Sequence, residues 1–175
     1  MRKIIMATFS LLVACYWMPV EASECEDYIN SEKFVEARSA CQLEANNGSP
    51  FAQFVLGQMW DSGQGGGSSL YEGTKWYRLA SDNGHTRSML RLGNKYQYGY
   101  GAPVKLEEAE KWYLRAAEKG QKKAYFQLGA LYVKQKVWVQ AYYWYKKSSE
   151  AGDESAMEMV KILEHGDSEG HISIR

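Results

Sequence analysis

Several residue pairs in this 175-residue chain recur on one ruler. Leu56-Gly57, Leu92-Gly93 and Leu128-Gly129 are 36 residues apart. Trp76-Tyr77 and Trp112-Tyr113 are also 36 apart, and Trp144-Tyr145 follows after 32. Gly48, Gly84, Gly120 and Gly152 step by 36, 36 and 32, as do Ala52, Ser88, Ala124 and Ala156. Independent columns that share both the period and the same shortening define an internal repeat. A repeat of this length is one supersecondary unit that buries its apolar face only by stacking on its neighbours, so the chain is restricted to a solenoid or a related array.

Each unit reads as two helices. In the first, Ala52, Leu56-Gly57 and Trp60, or Ala124, Leu128-Gly129 and Tyr132, recur at i, i+4 and i+8 and share one helix face. Glycine inside a helix costs about 1 kcal/mol against alanine, so its placement implies a close approach by another helix. Gly63-Gln64-Gly65 and Gly99-Tyr100-Gly101 mark the turns; Lys134-Gln135-Lys136 replaces them in the third unit and predicts a tighter hairpin. The second helix runs through Leu106, Ala109, Trp112-Tyr113 and Ala116-Ala117, and Gly120 suits the left-handed position past its end. Trp76, Trp112, Trp144 and their adjacent tyrosines are then expected to form a stacked interior ladder, which accounts for much of the 14% aromatic content.

This succession of alanine, leucine-glycine, tyrosine, Gly-x-Gly, alanine, tryptophan-tyrosine, paired alanines and glycine resembles the Sel-one-like repeat (SLR) family, a branch of the tetratricopeptide-like solenoids. The resemblance spans about residues 33–166, and residues 107–120 lie close to the family's second-helix pattern. Gly73 in place of alanine, Ser148-Ser149 in place of paired alanines and the short third unit depart from it and affect local geometry. The fold class expected is all-α: a right-handed solenoid of antiparallel helix pairs, with about three full repeats and capping helices at both ends. A short helix over residues 24–30 and a second through Phe34, Ala37, Cys41 and Ala45 form the first cap; residues 153–165 form the last. The expected division is an export signal over 1–22, the solenoid over 23–166 and a flexible tail over 167–175.

Met1-Arg2-Lys3, an apolar run from Ile4 to Met18, and Val20-Glu21-Ala22 follow the order of an export signal cleaved after Ala22. The run is too short and wrongly flanked for a membrane span, so no integral segment is expected in the mature chain. Leu12-Val13-Ala14-Cys15 supplies an alternative, because it resembles the bacterial lipoprotein motif with Cys15 as the lipidated residue. The localisation expected is periplasmic or secreted, with the lipid anchor at Cys15 as the alternative. Disulfides persist in such compartments. Cys25 and Cys41 lie equally far from Lys33 in the first turn, so they face each other across the first hairpin. A disulfide and a pair of buried thiols are both compatible with that placement. Cysteine-rich SLR proteins carry disulfides across their helix pairs, and the resemblance therefore implies the bridge.

Chemistry is hard to find. His85, His165 and His171 make no i, i+4 pair with another metal ligand, and no His-Glu-x-x-His, P-loop or Gly-x-Ser-x-Gly occurs. Some cysteine-rich relatives in the family are linked to β-lactams. Here there is no Ser-x-x-Lys and no Lys-Thr-Gly, and Ser81-Asp82-Asn83 sits where a helix ends. The chain is therefore read as a non-enzyme without metal or cofactor. Its 21 basic and 21 acidic residues leave no basic excess for nucleic acid.

Binding positions are expected where repeat columns vary while the core columns do not. Gln53, Met89 and Tyr125 form one such column; Val55, Arg91 and Gln127 a second; Gln58, Asn94 and Ala130 a third. Variation of this kind suits a groove, and it equally suits any exposed face. Tyr142 and Tyr143 occupy positions held by Glu110 and Lys111 one unit earlier, so register predicts exposed tyrosines, unless the short hairpin packs differently on the terminal helix. Residues 23–90 carry five basic and nine acidic groups, residues 91–152 twelve and five, and residues 153–175 two and six. The neutral total thus conceals a basic centre, which suits an acidic partner or simply solvated helix faces. The function expected is an exported adaptor that binds an unidentified protein, since relatives by resemblance assemble complexes, regulate envelope signalling or contact host proteins. A polysaccharide- or peptidoglycan-binding module is the alternative, and a hydrolase or β-lactam-binding protein lacks its motifs.

Overall fold

A computed structural model describes residues 23–174 of the chain. The export signal and the alternative lipidation site Cys15 lie outside the described residues. Among these there are nine helices and no strand. They are α1 (Glu24–Asn30), α2 (Phe34–Asn46), α3 (Pro50–Ser62), α4 (Leu70–Asp82), α5 (Thr86–Tyr98), α6 (Leu106–Glu118), α7 (Lys123–Lys134), α8 (Trp138–Glu150) and α9 (Glu154–Ser168). Each packs chiefly on its neighbours in sequence, giving four stacked hairpins closed by α9. This is the helical solenoid that the repeat columns predict.

Local signals start and stop the helices. The side chains of Ser49, Ser69 and Asp153 accept the backbone N–H groups of Ala52, Glu72 and Ala156, and so cap α3, α4 and α9. Gly48, Gly84, Gly120 and Gly152 take φ of 90°, 89°, 80° and 94° between successive hairpins. The two tight hairpins put non-glycine residues in the same left-handed region, Glu32 at 56° and Lys136 at 60°. Such a residue costs about 1 kcal/mol.

The core explains why Leu-Gly and Trp-Tyr repeat together. Tyr77, Tyr113 and Tyr145 are buried, and each fills the slot left open by a glycine on the partner helix. A Cβ on Gly57 would lie 2.7 Å from the Tyr77 ring, and one on Gly129 2.6 Å from the Tyr145 ring. The Tyr113 ring blocks Gly93 in the same way. Trp112 is also buried, whereas Trp76 and Trp144 are only half-buried. The interior ladder is therefore built of tyrosines, with the tryptophans along its flank.

A charged residue holds the first two full repeats together. The buried Lys95 ammonium donates to Asp61 Oδ1 (2.7 Å), to the Tyr100 carbonyl (3.3 Å) and to the Leu70 carbonyl (3.4 Å). All three of its protons have acceptors, as a buried cation requires.

The ends are closed by different means. At the first, Cys25 and Cys41 form a disulfide between α1 and α2, both residues fully buried. Glu44 Oε1 accepts the Cys25 N–H at 2.9 Å beside it. At the other, α9 continues to Ser168, past residue 165 where the sequence pattern stops. Ile172 and Ile174 then fold back on the apolar cluster of Ala141, Tyr145 and Leu163, and the Ile174 N–H donates to Asp167 Oδ1 at 3.1 Å. The segment read as a flexible tail thus carries packed apolar side chains.

A cationic groove along the first helices

The first helices of the repeats, α3, α5 and α7, line a cleft of about 560 Å³. Phe54 and Leu90 give it an apolar floor. Gln58, Asn94 and Gln121 add amides, and Arg87, Arg91 and Lys123 supply its only charges.

Several of these side chains are held from behind. The Phe54 ring lies 4.5 Å from the His85 ring, centroid to centroid. His85 Nδ1 accepts the Ser88 N–H at 3.3 Å and so caps α5, a task that a neutral imidazole performs. Burial, aided by the Arg87 charge, holds the His85 pKa below its usual value and favours that neutral form. Asn94 Oδ1 accepts the Tyr113 hydroxyl at 2.6 Å, which ties the groove wall to the tyrosine ladder.

The cations have no such tethers. Arg87 and Arg91 stand one turn apart on α5, and Lys123 follows Arg87 by one repeat of 36 residues. None of the three forms an ion pair among the described residues. Like charges at i, i+4 repel by a few tenths of a kcal/mol.

The variable columns divide unexpectedly. Gln58, Arg91 and Asn94 line the cleft, and Gln127 is half-buried one repeat beyond Arg91. Gln53, Val55 and Met89 do not belong to an exposed face: they are 4%, 6% and 0% exposed. Gln53 is a structural bridge, donating to the Ala45 carbonyl (3.0 Å) and accepting from Asn83 Nδ2 (2.9 Å). Met89 takes the equivalent place in the next repeat as an apolar core side chain, and Val55 packs into the N-terminal cluster. Tyr125, in the same column as Gln53, is half-buried and stacks on Trp144 with centroids 6.0 Å apart.

The two adjacent tyrosines are separated. Tyr143 is 52% exposed and meets Trp144 edge-on at 5.1 Å. Tyr142 is half-buried, not exposed, because its hydroxyl donates to Glu164 Oε1 of α9 at 2.9 Å. Neither lines the groove. Sequence reading missed Arg87, Lys123 and the Phe54–Leu90 floor. Their signal is the spacing of Arg87 and Lys123, four residues before Arg91 and Gln127.

Among the described residues, no three His, Cys, Asp or Glu side chains gather as a metal ligand set. No helix there is long and apolar enough to cross a membrane. Hairpins stacked in register, with a groove along their first helices, define a helical-repeat scaffold. The Sel1 repeat model matches residues 50–85, 86–121 and 122–153, and the chain belongs to that family.

Two solved structures are similar to it. One is a Sel1 repeat protein from Oxalobacter formigenes, at 26% identity and a TM-score of 0.73, with 86% of this chain and 63% of that chain covered. The other is a protective antigen present in uropathogenic Escherichia coli strains, displaying an SLR fold, at 27% identity and a TM-score of 0.74, with 86% of this chain and 34% of that chain covered. The chain thus spans less than two thirds of the length of either. No curated protein matches it.

Proposed function

We propose that the protein is an exported, non-enzymatic adaptor that receives a partner protein along the concave face of its first helices. The observation that carries this reading is the cleft itself: an apolar floor and a polar rim contributed by successive repeats, on rigid helices. Gln58, Arg91, Asn94 and Gln127 would contact the partner, and Tyr143 offers a separate outer surface. Export is supported by the buried Cys25–Cys41 disulfide and by the similarity to a bacterial protective antigen.

The test is photo-crosslinking in the producing cell, with a benzophenone amino acid at Gln58 or Gln127 in the groove, or at the exposed Lys111 of α6 as the control. A discrete adduct from the groove positions and none from Lys111 supports the reading. Adducts from Lys111 alone, or from no position, refute it.

A second reading, glycan binding, rests on one pair of rings. Tyr98 and Tyr100 are 48% and 57% exposed and stack with centroids 5.9 Å apart, a platform of the kind that sugar faces cover. Sedimentation with peptidoglycan that is lost in Tyr98→Ala/Tyr100→Ala would favour it over the adaptor.

A further inference from the structure

We infer that the groove selects an acidic, extended peptide segment, with carboxylates paired to Arg87, Arg91 and Lys123 and an apolar side chain seated on Phe54 and Leu90. The inference rests on the adaptor reading and names the chemistry of its partner.

Three observations carry it. The cleft's only charged side chains are those three cations, and none has a counter-ion among the described residues. Three other cations have internal partners: Lys95 pairs with Asp61, Arg115 with Asp82 at 3.7 Å, and Arg38 donates to the Gly67 carbonyl at 3.0 Å. Placing Arg87 and Arg91 one turn apart is unfavourable for the isolated helix, and a bound carboxylate reverses its sign.

The apolar floor then separates a peptide from a polyanionic sugar. Phe54 is 6% exposed and braced by His85, so it offers one firm contact edge rather than a flat stacking plane. Leu90 is half-buried beside it. Cations around a small apolar seat fit a chain that alternates carboxylates with an aliphatic or aromatic side chain. A polyanionic sugar, whose apolar C–H faces cover a flat aromatic plane, leaves that small seat unfilled.

The test uses the disulfide-bonded protein, from Ser23 onward, to select from a random twelve-residue displayed peptide library in moderate salt. The same selection is run on Arg87→Gln/Arg91→Gln, whose helix content and melting are checked first; both positions are exposed. Peptides enriched on the natural protein are expected to carry an excess of Asp and Glu with one apolar residue. They should bind the double variant at least tenfold more weakly and lose affinity steeply as salt rises.

Enrichment without an acidic excess, equal affinity for the variant, or no enrichment at all overturns the inference. Displacement of a selected peptide by polygalacturonate at matched carboxylate concentration also overturns it, because charge alone would then suffice. The adaptor reading is judged separately: a crosslink from Gln58 that survives Arg87→Gln/Arg91→Gln refutes the acidic segment and leaves the adaptor standing.

Discussion

Gly93 shows how a single hydrogen atom decides a packing distance. It lies inside α5, where alanine is the better helix former by about 1 kcal/mol. Its missing Cβ is the space that the Tyr113 ring occupies, and the Tyr113 hydroxyl then reaches Asn94 Oδ1 at 2.6 Å and Gln97 Oε1 at 2.7 Å. Gly93→Ala gains propensity and overfills the slot, and overpacking costs typically 1–3 kcal/mol. With the polar contacts of the Tyr113 hydroxyl strained as well, the net outcome expected is a loss of about 2 kcal/mol, read from urea unfolding. A variant as stable as the natural protein would show that the hairpin opens at no cost. The slot was legible in part: Leu-Gly and Trp-Tyr share a period, but nothing in one sequence says that glycine and tyrosine are partners. Exposure was less legible still. Gln53, Met89 and Tyr125 vary in chemistry because each meets a different neighbour inside the structure, an amide and a carbonyl, an apolar cluster, and a tryptophan ring. Variation therefore did not mean solvent.

The hairpins read most clearly from sequence, since all four end at a left-handed glycine and the first three begin at a capping side chain. The first was the hardest, having no Leu-Gly or Trp-Tyr pair, and it is held by a covalent bond instead. The loop closed by Cys25 and Cys41 is 16 residues long, for which loop closure contributes about 3 kcal/mol. Cys25→Ala/Cys41→Ala is expected to release α1 while the later hairpins persist, because repeat stability is local. Amide exchange is the measurement: protection in α1 should fall by about two orders of magnitude or more, and that in α5 and α6 should hold. Uniform loss along the chain would show that the bridge supports the whole array. The C-terminal end is less legible for a related reason. Residues 169–174 are too few to show a period, yet Ile172 finds Gly166, whose missing side chain leaves room for it. Two isolated isoleucines are enough to fold back a segment that shows no pattern.

Taken together, the tyrosine ladder makes the molecule sensitive to alkali. Burial raises the Tyr145 pKa to about 12, and burial followed by the Glu110 carboxylate raises that of Tyr132 to about 12. Burial also raises Tyr77 and Tyr113. A raised phenol pKa means that the folded chain holds its protons more tightly than the unfolded chain, whose tyrosines ionise near 10. The stabilisation is therefore complete below about pH 10 and is lost as pH climbs through about 12. Tyrosinate absorbance and helical circular dichroism followed together are expected to show exposed tyrosines ionising first, and the buried set only as helix is lost. Full ionisation of all tyrosines with the helices intact would contradict a buried ladder. The neutral composition hid a second property of the whole: its basic centre gathers partly in one groove, while Lys95, also in the basic stretch, is spent within the core.

Lys95 has a mechanical consequence. It keys the joint between the first two full repeats through two directional bonds, to Asp61 and Leu70, and a third bond holds it to Tyr100 of its own repeat. One repeat later the corresponding positions hold Gln97 and Leu131. That joint is closed by the aliphatic Leu131 side chain and by two bonds, from the Lys134 ammonium to the Gln97 carbonyl at 3.2 Å and from the Tyr132 hydroxyl to Glu110 Oε1 at 2.5 Å. The first joint is thus locked by the ion pair of the buried Lys95, and the second rests on hydrogen bonds from less buried side chains.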